Sequence, residues 1–171
     1  MARLLPSDEK SVVLPIKLRL IPIGSVLIAT LIAALPLNAS APIWPPLGFM
    51  MLISWRMLRG DLWPVWIGIP LGLFDDLVSG QPVGSAVALW TLAMLAMDVI
   101  DRRIIWRDFW LDWLLAALGL LILLLASAVF ARAGNMAHII ALIGPQFLWS
   151  AMLLPLTMRA AAALDDWRRR S

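Results

Sequence analysis

The charges of this chain fall in clumps separated by long uncharged runs, and no other feature limits its fold so strongly. No charged side chain lies between Leu20 and Trp55, and the nineteen residues from Trp113 to Ala131 are also uncharged. A bilayer-crossing helix needs ~20 predominantly apolar residues, so runs of this kind predict membrane spans. Soluble domains are about half apolar and a quarter charged; this chain is 62% hydrophobic and 15% charged. Six spans would use ~120 residues, leaving only short loops and tails of the 171 present. A receptor ectodomain, a cytosolic catalytic domain and a nucleic-acid-binding module are thereby excluded. The expectation is an all-α polytopic membrane protein, a single integral domain over 1–171 built as a six-helix bundle.

Turn formers set the expected boundaries. The uncharged stretch after Arg19 is too long for one helix and breaks at Leu37-Asn38-Ala39-Ser40-Ala41-Pro42. Spans are predicted at about 18–37, 43–58, 62–79, 83–100, 110–130 and 136–164. Pro45 and Pro46 suit the first turn of the second helix, and Pro145 and Pro155 predict a kink or an interfacial first turn in the sixth. An alternative parse makes the first span a secretory signal cleaved near Ala39-Ser40-Ala41, which leaves five spans with unchanged sidedness.

Six spans put both termini on one side. That side then holds Arg3, Lys10, Lys17, Arg19, Arg56, Arg59, Arg102, Arg103, Arg107, Arg159, Arg168, Arg169 and Arg170, thirteen of the fourteen cations. Only Arg132 falls opposite. By the positive-inside rule both termini are expected in the cytoplasm, with the arginine loops acting as topology determinants. Eight tryptophans lie near predicted boundaries and read as interfacial anchors: Trp44, Trp55, Trp63, Trp66, Trp106, Trp110, Trp113 and Trp167. Trp90 and Trp149 fall mid-helix and are expected to pack between helices.

Chemistry has few residues to work with. Cysteine is absent and His138 is the single histidine, so no thiolate or multi-histidine metal site is expected, and no cofactor. His138 falls in the first turn of the sixth helix, where a capping or interfacial role is expected. The serines lack a G-x-S-x-G nucleophile turn. Asp98, Asp101, Arg102 and Arg103 read as i,i+4 charges on a solvated helix end. They lack the spaced-Asp pattern of membrane phosphatidyltransferases. Asp108 and Asp112 suit the positive N-terminus of the fifth helix. The tail Asp165-Asp166-Trp167-Arg168-Arg169-Arg170 is expected to extend the sixth helix to the anionic lipid surface.

The informative stretch is GIPLGLFDDLVSGQPVG, where Gly68, Gly72, Asp76, Gly80 and Gly84 recur every fourth residue. On a helix that spacing forms one slowly winding stripe of small residues, which lets a neighbouring helix approach closely. Asp75 lies about 100° around the helix from Asp76, so the two do not form an acid–base dyad on one face. An ion or substrate site would need further ligands at that depth. The favoured reading is structural: Asp76 accepts N–H groups from the following turn and pairs with Arg132 on the outer side.

The Pro-rich entry to the second helix with its Trp55-Arg56 exit, followed by Gly72-x-x-x-Asp76-x-x-x-Gly80-x-x-x-Gly84, resembles MreD, the small rod shape-determining membrane protein family of bacteria. Asp75 stands where relatives usually carry an apolar residue, and Pro70 is expected to interrupt the third helix. The resemblance implies a non-enzymatic inner-membrane subunit of the peptidoglycan elongation machinery. It implies association with MreC, the elongation transpeptidase and a RodA-type glycosyltransferase, and indirectly with MreB, and none with nucleic acid. The family's fold is similar to the substrate-binding subunit fold of energy-coupling-factor transporters. A vitamin-binding transporter subunit is therefore the alternative, although the predicted outer loops are short and offer few polar groups.

Overall fold

A computed structural model describes residues 9–35, 44–80, 82–103, 108–130 and 136–170. Among them the chain is all-helical, as the sequence leads one to expect, with six α-helices and no strand. The helices are α1 (Glu9–Ala34), α2 (Leu47–Leu58), α3 (Gly68–Ser79), α4 (Ser85–Arg103), α5 (Phe109–Phe130) and α6 (Met136–Arg170). Two short 3-10 turns, Gly60–Leu62 and Val65–Ile67, take the place of the expected first half of the third helix. Pro64 between them has no N–H to give to a continuous α-helix. Pro70 sits in the first turn of α3, where the N–H would lack an intrahelical partner anyway, and leaves that helix intact.

Helix α2 is the hub. Every residue from Gly48 to Arg56 is buried, and the helix packs against α1, α4, α5 and α6. Its Phe49, Met50, Leu52 and Trp55 fill the centre with Val26, Trp90, Met94, Leu120 and Leu154. Phe49 and Trp90 stack in a tilted arrangement with centroids 5.9 Å apart. Trp44–Pro46 precede the helix without helical structure, and Pro46 occupies the cap position.

The contacts also fix direction. Thr30 faces Gly48 while Ser25 meets Trp55, so α1 and α2 are antiparallel. Trp44 meets Gln146, Ser54 meets Thr157 and Arg59 meets Asp165, so α2 and α6 run parallel. A side chain at Gly48 would collide with the Thr30 hydroxyl, so the small residue sets the α1–α2 separation. Helix α6 continues through Pro145 and Pro155 to Arg170, beyond the expected end at 164. The carbonyl four residues before Pro155 is that of Ala151, which a proline cannot bond. It accepts instead from the Trp113 indole N–H of α5 at 3.2 Å.

Two helices among the described residues are long and apolar enough to cross a membrane, over Trp110–Val129 and Ile143–Arg170. In these segments only 28% and 22% of the apolar window is buried, unlike the core helix of a soluble protein. The outer faces of other helices are apolar as well, with Ile28, Leu77 and Leu92 all more than half exposed.

Candidate functional site

The repeated Gly/Asp block folds as the hairpin that joins α3 to α4. Gly68 and Gly72 lie directly on the backbone of α4. A Cβ at Gly72 would stand 2.7 Å from the Ala86 carbonyl oxygen and from the Val87 Cα. One at Gly68 would stand 3.0 Å from the backbone of Thr91. The small residues therefore serve an internal close approach of two antiparallel helices. Gly80 ends α3 with φ +68° and Gly84 precedes α4 with φ +101°, a backbone region that disfavours side chains.

Asp76 completes the hairpin from a position only 1% exposed. One carboxylate oxygen accepts from the Gly84 N–H at 2.7 Å and the Val87 N–H at 3.4 Å. The other accepts from the Ala86 N–H at 2.8 Å and the Ser85 hydroxyl at 2.9 Å. These N–H groups belong to the start of α4, where a helix has no internal acceptors. Asp76 is thus an N-cap supplied by the preceding helix, and its charge faces the positive end of the α4 dipole. Half-buried Asp75 takes no part in this capping. Arg132, expected to pair with Asp76, lies outside the described residues.

A second polar constellation lies at the opposite end of the bundle and was not legible as such in the sequence. Arg56, expected as a topology determinant, is only 5% exposed and reaches two carboxylates of α4. Its guanidinium lies 3.0 Å from Asp101 and 3.5 Å from Asp98. Asp98 also pairs with Arg102 at 2.9 Å, the expected i,i+4 contact. Gly60 closes over the cluster, and a Cβ there would fall on the Arg56 guanidinium. Asp165, 2% exposed, gathers Arg59 at 3.2 Å, Arg169 at 2.9 Å and Arg168. Arg168 also lies over the Trp55 ring, 5.8 Å from its centroid. The tail expected to run to the lipid surface thus turns Asp165 and Arg168 inward.

The tryptophans divide differently from the sequence expectation. Trp55 and Trp63 are buried rather than interfacial, at 0% and 3% exposure. The Trp55 indole N–H donates to Ser25, which donates to the Pro22 carbonyl. Trp90 packs inside as expected, whereas Trp149 points outward. Trp44, Trp66, Trp110 and Trp167 are exposed. Trp106 and the side chain of His138 lie outside the described residues.

A groove of ≈ 340 Å³ between α4 and α5 has an apolar lining, with Phe49 and Ile53 among its residues. Comparison of the chain with protein-family models, curated proteins and solved structures finds no match.

Proposed function

We propose that the chain is a six-span protein of the bacterial inner membrane with cytoplasmic termini. Its function in this reading is that of a non-enzymatic scaffold of the cell-wall elongation machinery, similar to MreD. The observation that carries the reading is where the polar side chains are used. Both fully buried carboxylates among the described residues, Asp76 and Asp165, are saturated by donors of the chain itself. Neither is aimed at a substrate, and the outward faces are left apolar. Apolar helix faces around a satisfied core suit contact with lipid and with the spans of partner proteins.

The resemblance through Pro45, Trp55-Arg56 and the Gly72–Gly84 block supplies the choice of machinery: MreC, the elongation transpeptidase, a RodA-type glycosyltransferase and, indirectly, MreB. The clustering of cations supports the orientation. Affinity purification of the tagged chain in mild detergent, with identification of proteins and small molecules together, tests the proposal. Cell-wall elongation proteins are expected, and depletion is expected to round rod-shaped cells. Recovery of a vitamin and a coupling subunit, with no elongation proteins, would replace the scaffold by the transporter alternative.

A further inference from the structure

The fold described above makes no use of the Asp75 carboxylate. Asp76, Asp98, Asp101 and Asp165 each meet donors of the chain, whereas among the described residues no hydrogen bond or ion pair reaches Asp75. Nor does it stand on a solvated helix surface. Gly68 and Leu71 lie about 20° and 40° to either side of it around α3, and both are buried. The exposed residues Ile69, Leu73 and Leu77 occupy the far side of the helix. Asp75 therefore faces the bundle, where α3 packs against α4 and α1, and it is half-buried there.

Its depth makes that position costly. Asp75 lies about 7 Å along the helix from the closing Gly80. Leu77 and Val83 stand further out and are 68% and 72% exposed. On the membrane-embedded reading proposed above, on which this inference rests, the apolar band thus extends past Asp75. A carboxylate at that depth is unfavourable until a partner meets it. The lysines and arginines among the described residues lie toward the opposite end of the bundle.

We propose that Asp75 receives the ammonium of a lysine from a partner protein segment that lies over the outer end of the α3–α4 hairpin. The chemistry narrows the occupant. A divalent cation needs about six oxygen ligands or more, and both oxygens of the neighbouring Asp76 are already engaged. A small soluble ligand needs several converging polar groups. Arginine carries a wide fork of N–H donors that one carboxylate leaves partly unmet, whereas the lysine ammonium is a compact charge on a flexible stem. That stem lies along apolar surface while the ammonium reaches inward. The receiving wall is already ordered, since Gly72 rests on the backbone of Ala86 and Val87 and Asp76 caps α4.

Carbodiimide couples a carboxylate to a primary amine in contact with it. It is applied to native membranes holding the full tagged chain, and the purified product is mapped by mass spectrometry. A link from Asp75 to a lysine of another polypeptide is expected, with none from the capped Asp76. Asp75→Asn abolishes the link and lowers retention of that polypeptide in detergent about tenfold, as loss of one charge-assisted hydrogen bond requires. Asp75→Glu preserves retention, and the melting temperature of the isolated chain does not fall in Asp75→Asn. The absence of an Asp75 link, or a link to the ethanolamine of a lipid, overturns the proposal, as does undiminished retention in Asp75→Asn. So does an equal, non-additive fall in melting temperature in Asp75→Asn and Arg132→Gln, which would make the cation the chain's own. A lysine donor from outside the cell-wall elongation proteins would leave this contact standing and remove the scaffold reading instead.

Discussion

The two ends of this bundle hold buried acid in opposite ways. At the α3–α4 turn, Asp76 is neutralised by no arginine among the described residues; backbone N–H groups and one hydroxyl surround it. At the other end, Asp98, Asp101 and Asp165 are met by guanidinium groups. The first solution is compact and local, since donors and acceptor lie within eleven residues. The second joins residues more than forty and more than a hundred positions apart. A hairpin cap fixes one turn, whereas an arginine that reaches across helices fixes the arrangement of a whole end.

The contrast is broken most sharply by removing the cap. Asp76→Ala leaves several N–H groups buried without an acceptor, each costing about 1–3 kcal/mol. A large loss of folded yield and melting temperature in detergent is expected, and a variant that melts like the unaltered chain would refute the capping role. Asp76→Asn restores little, because an amide presents donors where the carboxylate accepts on both oxygens.

Asp165→Ala comes next. It removes the carboxylate shared by Arg168, Arg59 and Arg169, and removing one partner of a buried pair costs about 3–5 kcal/mol, less here because Arg59 and Arg169 are partly solvated and Arg168 keeps the Trp55 ring. Thermal melts in rising salt sharpen the distinction. Salt should weaken the arginine-held end and narrow the gap between Asp165→Ala and the unaltered chain, while leaving the Asp76→Ala deficit unchanged.

Gly72→Ala is smaller again. Its methyl group meets the backbone of α4, which cannot rotate away, so about 1–3 kcal/mol is lost as the helices part. The check is the melting temperature of this variant against Gly24→Ala, where the added carbon meets nothing within 4 Å. Arg102→Gln has the least effect, about 0.3–0.5 kcal/mol, since that arginine is 77% exposed and its i,i+4 pair is solvated. A larger loss in equilibrium unfolding would mean that Asp98 depends on Arg102 as much as on Arg56.

Legibility in the sequence follows the same divide. The all-helical class was readable from uncharged runs, and the Gly/Asp block from its four-residue spacing, because both signals are local. The spacing did not reveal that the glycines have two separate duties. Gly68 and Gly72 permit close packing, whereas Gly80 and Gly84 turn the chain, and the regular repeat conceals that change. Arg56 was hidden because one arginine near a helix end looks the same whether it faces water or a carboxylate on α4. The inward placement of Trp55 is hidden in the sequence for a related reason. A tryptophan near a boundary is usually an anchor, but here the Ser25 hydroxyl gives the indole N–H an inward partner. The 3-10 turns around Pro64 leave no mark in the sequence because the apolar residues there keep the composition of a span without its hydrogen bonding.

The central position of α2 has a consequence for how the chain is made. This helix leaves the ribosome before α4 and α6, yet the partners of Ser54, Arg56 and Arg59 lie on those later segments. Until those segments arrive, a short helix carrying two arginines near its end must wait with its polar groups unmatched. Biogenesis therefore cannot proceed by stacking finished helices in order of synthesis. The hub is begun early and completed last, so a nascent chain stalled before α6 would be a natural client for a chaperone.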